Sequence, residues 1–401
     1  MVPNGWKVKT LGSLTDKIGS GKTPKGGSST YKSFGIPLIR SQNVLWGSLD
    51  LSDVAYIDEE QHKSMKNSSV IESDVLLNIT GASIGSVAIS TLKEANVNQH
   101  VCIIRPKKDL DNNFLQYNLL SFEGQKQIER FQAGGNRQGL NFEQIKSFKI
   151  MLPPLPEQQK IAKILTTWDK AIDTTERLID NSKQHKKALM QQLLTGKKRL
   201  LDDNGKPFEG EWEKVKLSDI ANISMGSSPK SAAYNDEGVG LPLLQGNADI
   251  KNRKSAPRIY TSQITRECQI GDILLSVRAP VGTVALSEHH ACIGRGISSI
   301  RAKKKHSQDF LYQLMLDFEP RWRAFSQGST FEAVNSNDIK SLSLNVPNFK
   351  EQQKIAAVLT NADKEIELLE QQLADLQQEK KALMQVLLTG KKRVLVDGAV
   401  V

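Results

Sequence analysis

Residues 157–199 read EQQKIAKILTTWDKAIDTTERLIDNSKQHKKALMQQLLTGKKR, and residues 351–393 read EQQKIAAVLTNADKEIELLEQQLADLQQEKKALMQVLLTGKKR. More than half of the aligned positions are identical, at one constant offset. A repeat over this distance decides the architecture before any local motif does. In the first copy Ile161, Leu165, Trp168, Ile172, Thr175, Ile179, Ser182, Lys186, Leu189 and Leu193 are spaced by alternating steps of four and three. In the second, Ile355, Leu359, Ala362, Ile366, Leu369, Leu373, Leu376, Lys380, Leu383 and Leu387 follow the same steps. That is a coiled-coil seam sustained over about five heptads. Prolines 153, 154 and 156 precede the first copy and Pro347 the second, while Gly196 and Gly390 end them, each beside a Lys-Lys-Arg cluster. Those are the expected start and stop signals. About 38 helical residues would span roughly 57 Å. Two matched seams in one chain predict that the helices pair with each other. Lys186 and Lys380 occupy matched seam positions. They either set the register as a pair or snorkel outward, and snorkelling is the favoured reading.

The segments before the helices repeat more faintly. Gly21-Lys22-Thr23-Pro24-Lys25 echoes Gly226-Ser227-Ser228-Pro229-Lys230, and Gly35-Ile36-Pro37-Leu38-Ile39 echoes Gly240-Leu241-Pro242-Leu243-Leu244. The stretch from Asp74 to Ile89 echoes that from Asp272 to Leu286. Apolar framework and turn glycines match, and the polar residues between them differ. The halves therefore read as one fold with two surfaces. Short runs such as DVLLNI, VCIIR and DILLSV read as strands, and FLQYNLLSF and DFLYQLMLDF as short helices. The fold class expected is α+β (mixed α/β): two similar strand-rich globular domains joined by two long antiparallel coiled-coil helices in pseudo-twofold, circular symmetry. The segments are 1–152, 153–199, 200–346 and 347–393, with a tail at 394–401. The tail Lys391 to Leu395 matches the linker that begins at Lys197, and Trp212 to Leu217 resembles Trp6 to Leu11. The chain is thus two copies of one unit cut at a linker, which predicts neighbouring termini and domains at opposite ends of the helix pair.

Composition narrows the classes. The chain has 401 residues, 38% apolar and 24% charged, with a net charge of +10. No apolar run suits a membrane span or a secretory signal. Three cysteines, Cys102, Cys268 and Cys292, fit neither a zinc knuckle nor a disulfide framework. A cytoplasmic, reduced protein is expected. The basic charge points weakly to a polyanionic partner and has no basic tail behind it. Gly21-Lys22-Thr23 lacks the upstream glycine of a phosphate loop, since Asp16 stands there. His289-His290 has no partner at metal spacing and reads as a loop pair. No nucleophile setting appears. The chain reads as non-catalytic, with no metal and no cofactor of its own.

On these residues the chain resembles the specificity subunit of bacterial type I restriction-modification systems. Two variable domains are each followed by a near-duplicate helix, with E-Q-Q-K-I-A at its start and K-K-A-L-M-Q-x-L-L-T-G-K-K-R at its end. The Trp-x-x-x-x-Leu entry and the G-x-x-P-K turn fit as well. The resemblance implies two target-recognition domains, binding to double-stranded DNA, and assembly with two methyltransferase subunits and with restriction-translocase subunits. It also implies that S-adenosylmethionine, ATP and magnesium reside on those partners. The target would be bipartite and asymmetric, with adenine-N6 methylation carried out by the partners.

Arg, Asn and Gln can bond base edges in pairs, and Lys more often meets phosphate. Candidate DNA contacts are therefore Lys22, Lys25, Arg40, Gln42, Asn43, Asn136, Arg137 and Gln138 in the first domain. In the second they are Lys230, Gln245, Asn247, Lys251, Arg253, Lys254, Arg258, Arg278 and Arg295. The window 251–258 holds four basic groups and no acid, which makes it the strongest patch expected. A standalone DNA-binding regulator and a coiled-coil scaffold are the rival readings.

Overall fold

Val75–Asn78 is buried along its whole length. Successive strand side chains point to opposite faces, so such a run needs cover on both sides. Val75 and Leu77 join one core with Phe114, Leu115 and Ile145, while Leu76 joins a second with Ile39 and Val97. Ile273–Ser276 repeats the arrangement. Ile273 and Leu275 face Phe310 and Ile339, and Leu274 faces Leu244 and Ile293. In both halves a helix-covered sheet therefore backs onto a second sheet.

The computed structural model describes residues 2–132, 139–327 and 333–396, without the side chains of 323–327. By contact it divides into two units, Met1–Glu176 with Gln372–Val401, and Arg177–Gln371. Each unit takes half of each long helix. In the first unit the strands Thr15–Ser20, Val101–Pro106, Val75–Asn78 and Val87–Ile89 lie side by side in that order, all antiparallel. A second sheet runs Ala55–Ile57, Ile36–Ile39, Ala95–Val97, Ser69–Val70, with its middle pair parallel. In the second unit Ala221–Met225, Ile297–Ala302, Ile273–Ser276 and Val284–Leu286 rebuild the first sheet, extended by two short strands. Leu241–Leu244 pairs in parallel with Ala291–Ile293 in the other sheet. A buried carboxylate explains why Asp74 and Asp272 recur. Asp74 takes a two-pronged bond from Arg105, at 2.7 and 2.8 Å, and Asp272 is held by Arg301.

The long helices are Leu155–Leu193 and Phe349–Leu387. None of the twenty seam residues is classed as exposed, whereas most positions between them are. The helices run antiparallel within each unit. In the first, Lys380 binds Asp169 and Arg393 binds Glu157. In the second, Lys186 binds Asp363, Lys183 binds Glu370 at 2.7 Å, and Arg199 binds Glu351. This corrects the snorkelling reading of Lys186 and Lys380. Their side chains are only 12% and 20% exposed, because each meets a carboxylate on the facing helix. A side chain from the globular part steadies each acid. Tyr117 Oη donates to Asp169 at 2.6 Å, and Gln313 Nε2 donates to Asp363 at 2.8 Å. Burial, and then that bond to Asp169, push the Tyr117 phenol upward in pKa.

The repeated ends explain each other. Glu157 is buried and receives Arg393 Nε and Nη2, at 2.6 and 2.8 Å, together with Trp6 Nε1 at 3.1 Å. Glu351 receives Arg199 in the same way, at 2.6 and 2.7 Å. Gln158 and Gln352 each bond the loop that leads into their own helix, at Pro153 O and Pro347 O. Gly196 and Gly390 take φ of +70 and +66, where a left-handed residue ends a helix. Arg393 Nη1 also donates to Asn4 O at 2.8 Å, so the tail and the N-terminal segment meet within the first unit.

Candidate nucleic-acid interface

Gly21 is not in a left-handed conformation, yet it must be glycine. An added Cβ would lie 1.5 Å from Val97 O. At Gly226 it would lie 2.2 Å from Gly294 O. These close approaches bring the G-x-x-P-K turn of each unit onto another turn, Asn98–His100 in the first and Gly294–Gly296 in the second.

Matching bonds fix that second turn. Asn98 N donates to Ile39 O at 3.0 Å, and Ile79 N donates to His100 O at 3.0 Å. In the second unit Gly294 N donates to Leu244 O at 2.8 Å, and Val277 N to Gly296 O at 2.9 Å. Four chain segments therefore meet at one place in each unit. They start near Gly21, Arg40, Thr80 and Gln99 in the first, and near Gly226, Gln245, Arg278 and Arg295 in the second.

The frameworks agree and the side chains do not. In the first unit Thr23 Oγ1 bonds Gln99 Oε1, Gln99 Nε2 lies 3.0 Å from His100 Nε2, and His100 Nδ1 bonds Thr80 Oγ1. If Gln99 donates to Nε2, the His100 proton sits on Nδ1 and points at Thr80. The result is a continuous chain of hydroxyl, amide and imidazole with Gln99 exposed at its centre. In the second unit the same turn carries Arg295, whose backbone N donates to Ser228 Oγ at 3.2 Å. Arg278 follows Val277, and the carbonyl of Arg266 accepts Ile293 N at 2.8 Å. Arg266, Arg278 and Arg295 are all exposed.

The candidate contacts fall into three groups. Lys22, Lys25, Lys230, Arg278 and Arg295 are exposed, and among the described residues their side chains have no ion-pair partner. Gln245 lines the Arg295 turn, where its Cα lies 3.2 Å from the Cβ position of Gly294. A second group is engaged internally. Arg40 donates to Asp53 O at 2.7 Å and Gln42 to Asp53 Oδ2 at 2.8 Å. Asn43 is 2% exposed and its amide bonds Asp50 O and Asp53 O, so it holds a loop and does not face outward. Asn247 differs: it is half-buried, and its Oδ1 is shielded from solvent without a hydrogen-bond partner among the described residues. Asn136, Arg137 and Gln138 lie outside the described residues.

The window 251–258 is not the basic patch its sequence suggests. Arg253 pairs with Glu319, Lys254 with Glu288 at 2.9 Å, and Arg258 with Asp249 at 2.8 Å. Of the four basic groups in this window, only Lys251 has no ion-pair partner among the described residues. The window is free of acids in the sequence, and the fold supplies acids from elsewhere. Thr23, Thr80, Gln99, His100 and Arg266 were missed by sequence reasoning. Extending the half-to-half alignment through the Gly294–Gly296 turn would have flagged Gln99 and His100. Arg266 has no such signal, since it matters only through its pairing with that turn.

Residues 3–182 and 209–378 match the family model described as the type I restriction modification DNA specificity domain. A relative from Methanocaldococcus jannaschii, described as the MjaX specificity subunit of a type I restriction enzyme, is 32% identical over 98% of this chain and 95% of its own. Among solved structures, a type I restriction-modification S subunit from M. genitalium aligns over 96% of this chain and 97% of its own, with a TM-score of 0.64 and 15% identity. The HsdS subunit of Thermoanaerobacter tengcongensis aligns over 98% of both chains, with a TM-score of 0.51 and 23% identity. These two likenesses show the fold.

Proposed function

The chain belongs to the type I restriction-modification DNA specificity family, and on that premise we propose how it works. It reads an asymmetric, bipartite DNA duplex and directs partner subunits to methylate adenine N6 and to restrict unmodified DNA. It performs no catalysis itself. One observation carries the reading: the same four-segment framework is built twice and is dressed with different side chains each time. Two like frameworks suit two like partners. Two unlike surfaces suit two different half-sites, because base edges carry the sequence information and phosphates carry the positioning.

Lys22, Lys25 and Lys230 would meet phosphate, while Gln99, Gln245, Arg278 and Arg295 would meet base edges. The paired helices act as a spacer. The length of an unread stretch in the target should then follow the length of those helices, at about 1.5 Å of rise per residue. Two methyltransferase subunits, holding S-adenosylmethionine, would each flip one adenine from the stack. Restriction-translocase subunits would supply ATP and magnesium chemistry. Among the described residues no helix is long and apolar enough to cross a membrane, which suits a partner in the cytoplasm.

The test is single-molecule sequencing of DNA from methylation-free cells that express this chain with the methyltransferase of its own system. A split, asymmetric N6-methyladenine motif is expected, lost when this chain is omitted. Exchanging residues 1–150 for another such domain should change one half of the motif only. Methylation that persists without this chain, or an exchange that rewrites both halves, would overturn the proposal.

A further inference from the structure

Arginine pairing in the second unit is selective. Among the described side chains, Arg199, Arg253, Arg258, Arg301 and Arg321 each hold a carboxylate, and Arg177 is also engaged. Arg266, Arg278 and Arg295 hold none, and all three border the turn Gly294–Gly296. Elsewhere in the second unit the described guanidinium groups are engaged, several by acids from distant segments. The three unmatched ones are gathered at one place.

The turn beneath them is rigidly set. Gly294, Arg295 and Gly296 are held by bonds to Leu244 O, Ser228 Oγ and Val277 N. A Cβ on Gly296 would lie 2.2 Å from Gln245 O, and one on Gly294 would lie 3.2 Å from Gln245 Cα. The backbone is pinned on both sides of a free, charged side chain. That combination supplies preorganised donors without satisfying them internally, as a reader of base edges requires.

We propose that this turn is the base-reading centre of the second unit and that Arg278 and Arg295 read guanine there, with Arg266 on the adjoining backbone. The inference rests on the DNA-specificity reading above and adds to it the chemistry of one half-site. A guanidinium offers two parallel N–H donors, which match the O6 and N7 acceptors of guanine in the major groove. The equivalent turn of the first unit has no arginine. Gln99 offers one donor and one acceptor, the pattern that suits the N6 and N7 edge of adenine. Dependence on guanine through this turn therefore belongs to one half of the target.

The experiment uses the full chain, co-expressed with its methyltransferase in methylation-free cells, and reads the motif by single-molecule sequencing. Arg278→Ala and Arg295→Ala should each relax a G·C position in the same half-site, with preference falling roughly 5- to 150-fold. The other half-site should keep its stringency, and Arg321→Ala, a paired surface arginine, should leave the motif unchanged. A double variant, R278A/R295A, that methylates the original motif with undiminished stringency would overturn the inference and leave the specificity function standing. If the wild-type chain yields no sequence-dependent methylation, binding-site selection with the purified full chain decides. Selected G·C positions that the double variant loses would uphold the inference without the methyltransferase role. Selection of unrelated sequences would sink both.

Discussion

Arg393→Ala should destabilise the first unit far more than its surface position suggests. The substitution removes both prongs on Glu157 Oε1 and Oε2, at 2.6 and 2.8 Å, and the bond to Asn4 O at 2.8 Å. Glu157 is left 2% exposed, with Trp6 Nε1 as its remaining donor among the bonds described. Stranding one partner of a buried pair costs about 3–5 kcal/mol. The Arg393 side chain is 25% exposed, so solvent already screens part of the pair and about 3 kcal/mol is the better figure. For a unit of about two hundred residues, each kcal/mol moves Tm by about 2–4 °C, so the shift should be about 6–12 °C. Calorimetry of the full chain should resolve it as a movement of one transition. The apolar replacement Glu157→Leu with Arg393→Met should recover most of the loss, because desolvation opposes the original attraction. It would leave Trp6 Nε1 without its acceptor, which the fold tolerates at Trp212 Nε1, buried without a partner. An R393A transition within about 1 °C of the wild type would refute the reasoning. So would a double variant no more stable than the single one.

The same logic extends to the seam, the thiols and the spacer. Lys186→Asp alone should cost the second unit about 1–2 kcal/mol, and pairing it with Asp363→Lys should restore part of this; a double-mutant coupling below about 0.3 kcal/mol would discount the ion pair as a register device. Burial pushes the Cys102 thiol up to about 12, and burial raises Cys268 too. Native protein should therefore resist a thiol reagent at pH 8. Above about pH 9 the unfolded chain loses a proton that the folded chain keeps, so stability should fall by about 1.4 kcal/mol per pH unit for Cys102. Urea midpoints that respond to pH identically in wild type and Cys102→Ala would contradict this. Seven residues inserted at matched points of both long helices should add about 10 Å, or about three base pairs, to the unread spacer. A methylated motif with its original spacer would rule the helices out as the measuring element.

The helices were legible in the sequence because their signal is periodic and was written twice. Ile161 and Ile355, or Leu193 and Leu387, need no structure to be placed on a seam. The ion pairs across that seam were not legible. Lys186 meets Asp363 through a register that antiparallel pairing fixes, and the sequence alone leaves snorkelling open. Acid-free windows misled for the same reason. Charge along the chain says nothing of Glu319, which reaches Arg253 from a distant helix. Glycine gave the most faithful local signal, since Gly21 and Gly226 mark close backbone approach and hence the meeting of turns. The reading residues themselves follow no period. In the second unit the arginines among them become visible once the pairing of the other described arginines there has been accounted for.

Antiparallel pairing gives the two halves different freedoms. Each ion pair at a helix end takes its acid from one copy of the repeat and its base from the other, Glu157 with Arg393 and Glu351 with Arg199. The seam pairs do the same, Asp169 with Lys380 and Asp363 with Lys186. A change in either copy of the repeat therefore strands a residue of the other, and the two copies are physically bound to stay alike. The turns at Gln99 and Arg295 take no part in these pairs and are held by bonds within their own units, among them those to Ile39 and Ile79 in one and to Leu244, Val277 and Ser228 Oγ in the other. Their side chains can be exchanged without disturbing a single cross-helix pair. A chain built this way can alter what it reads at one half-site while the paired repeat, with its acids from one copy and its bases from the other, is left in place.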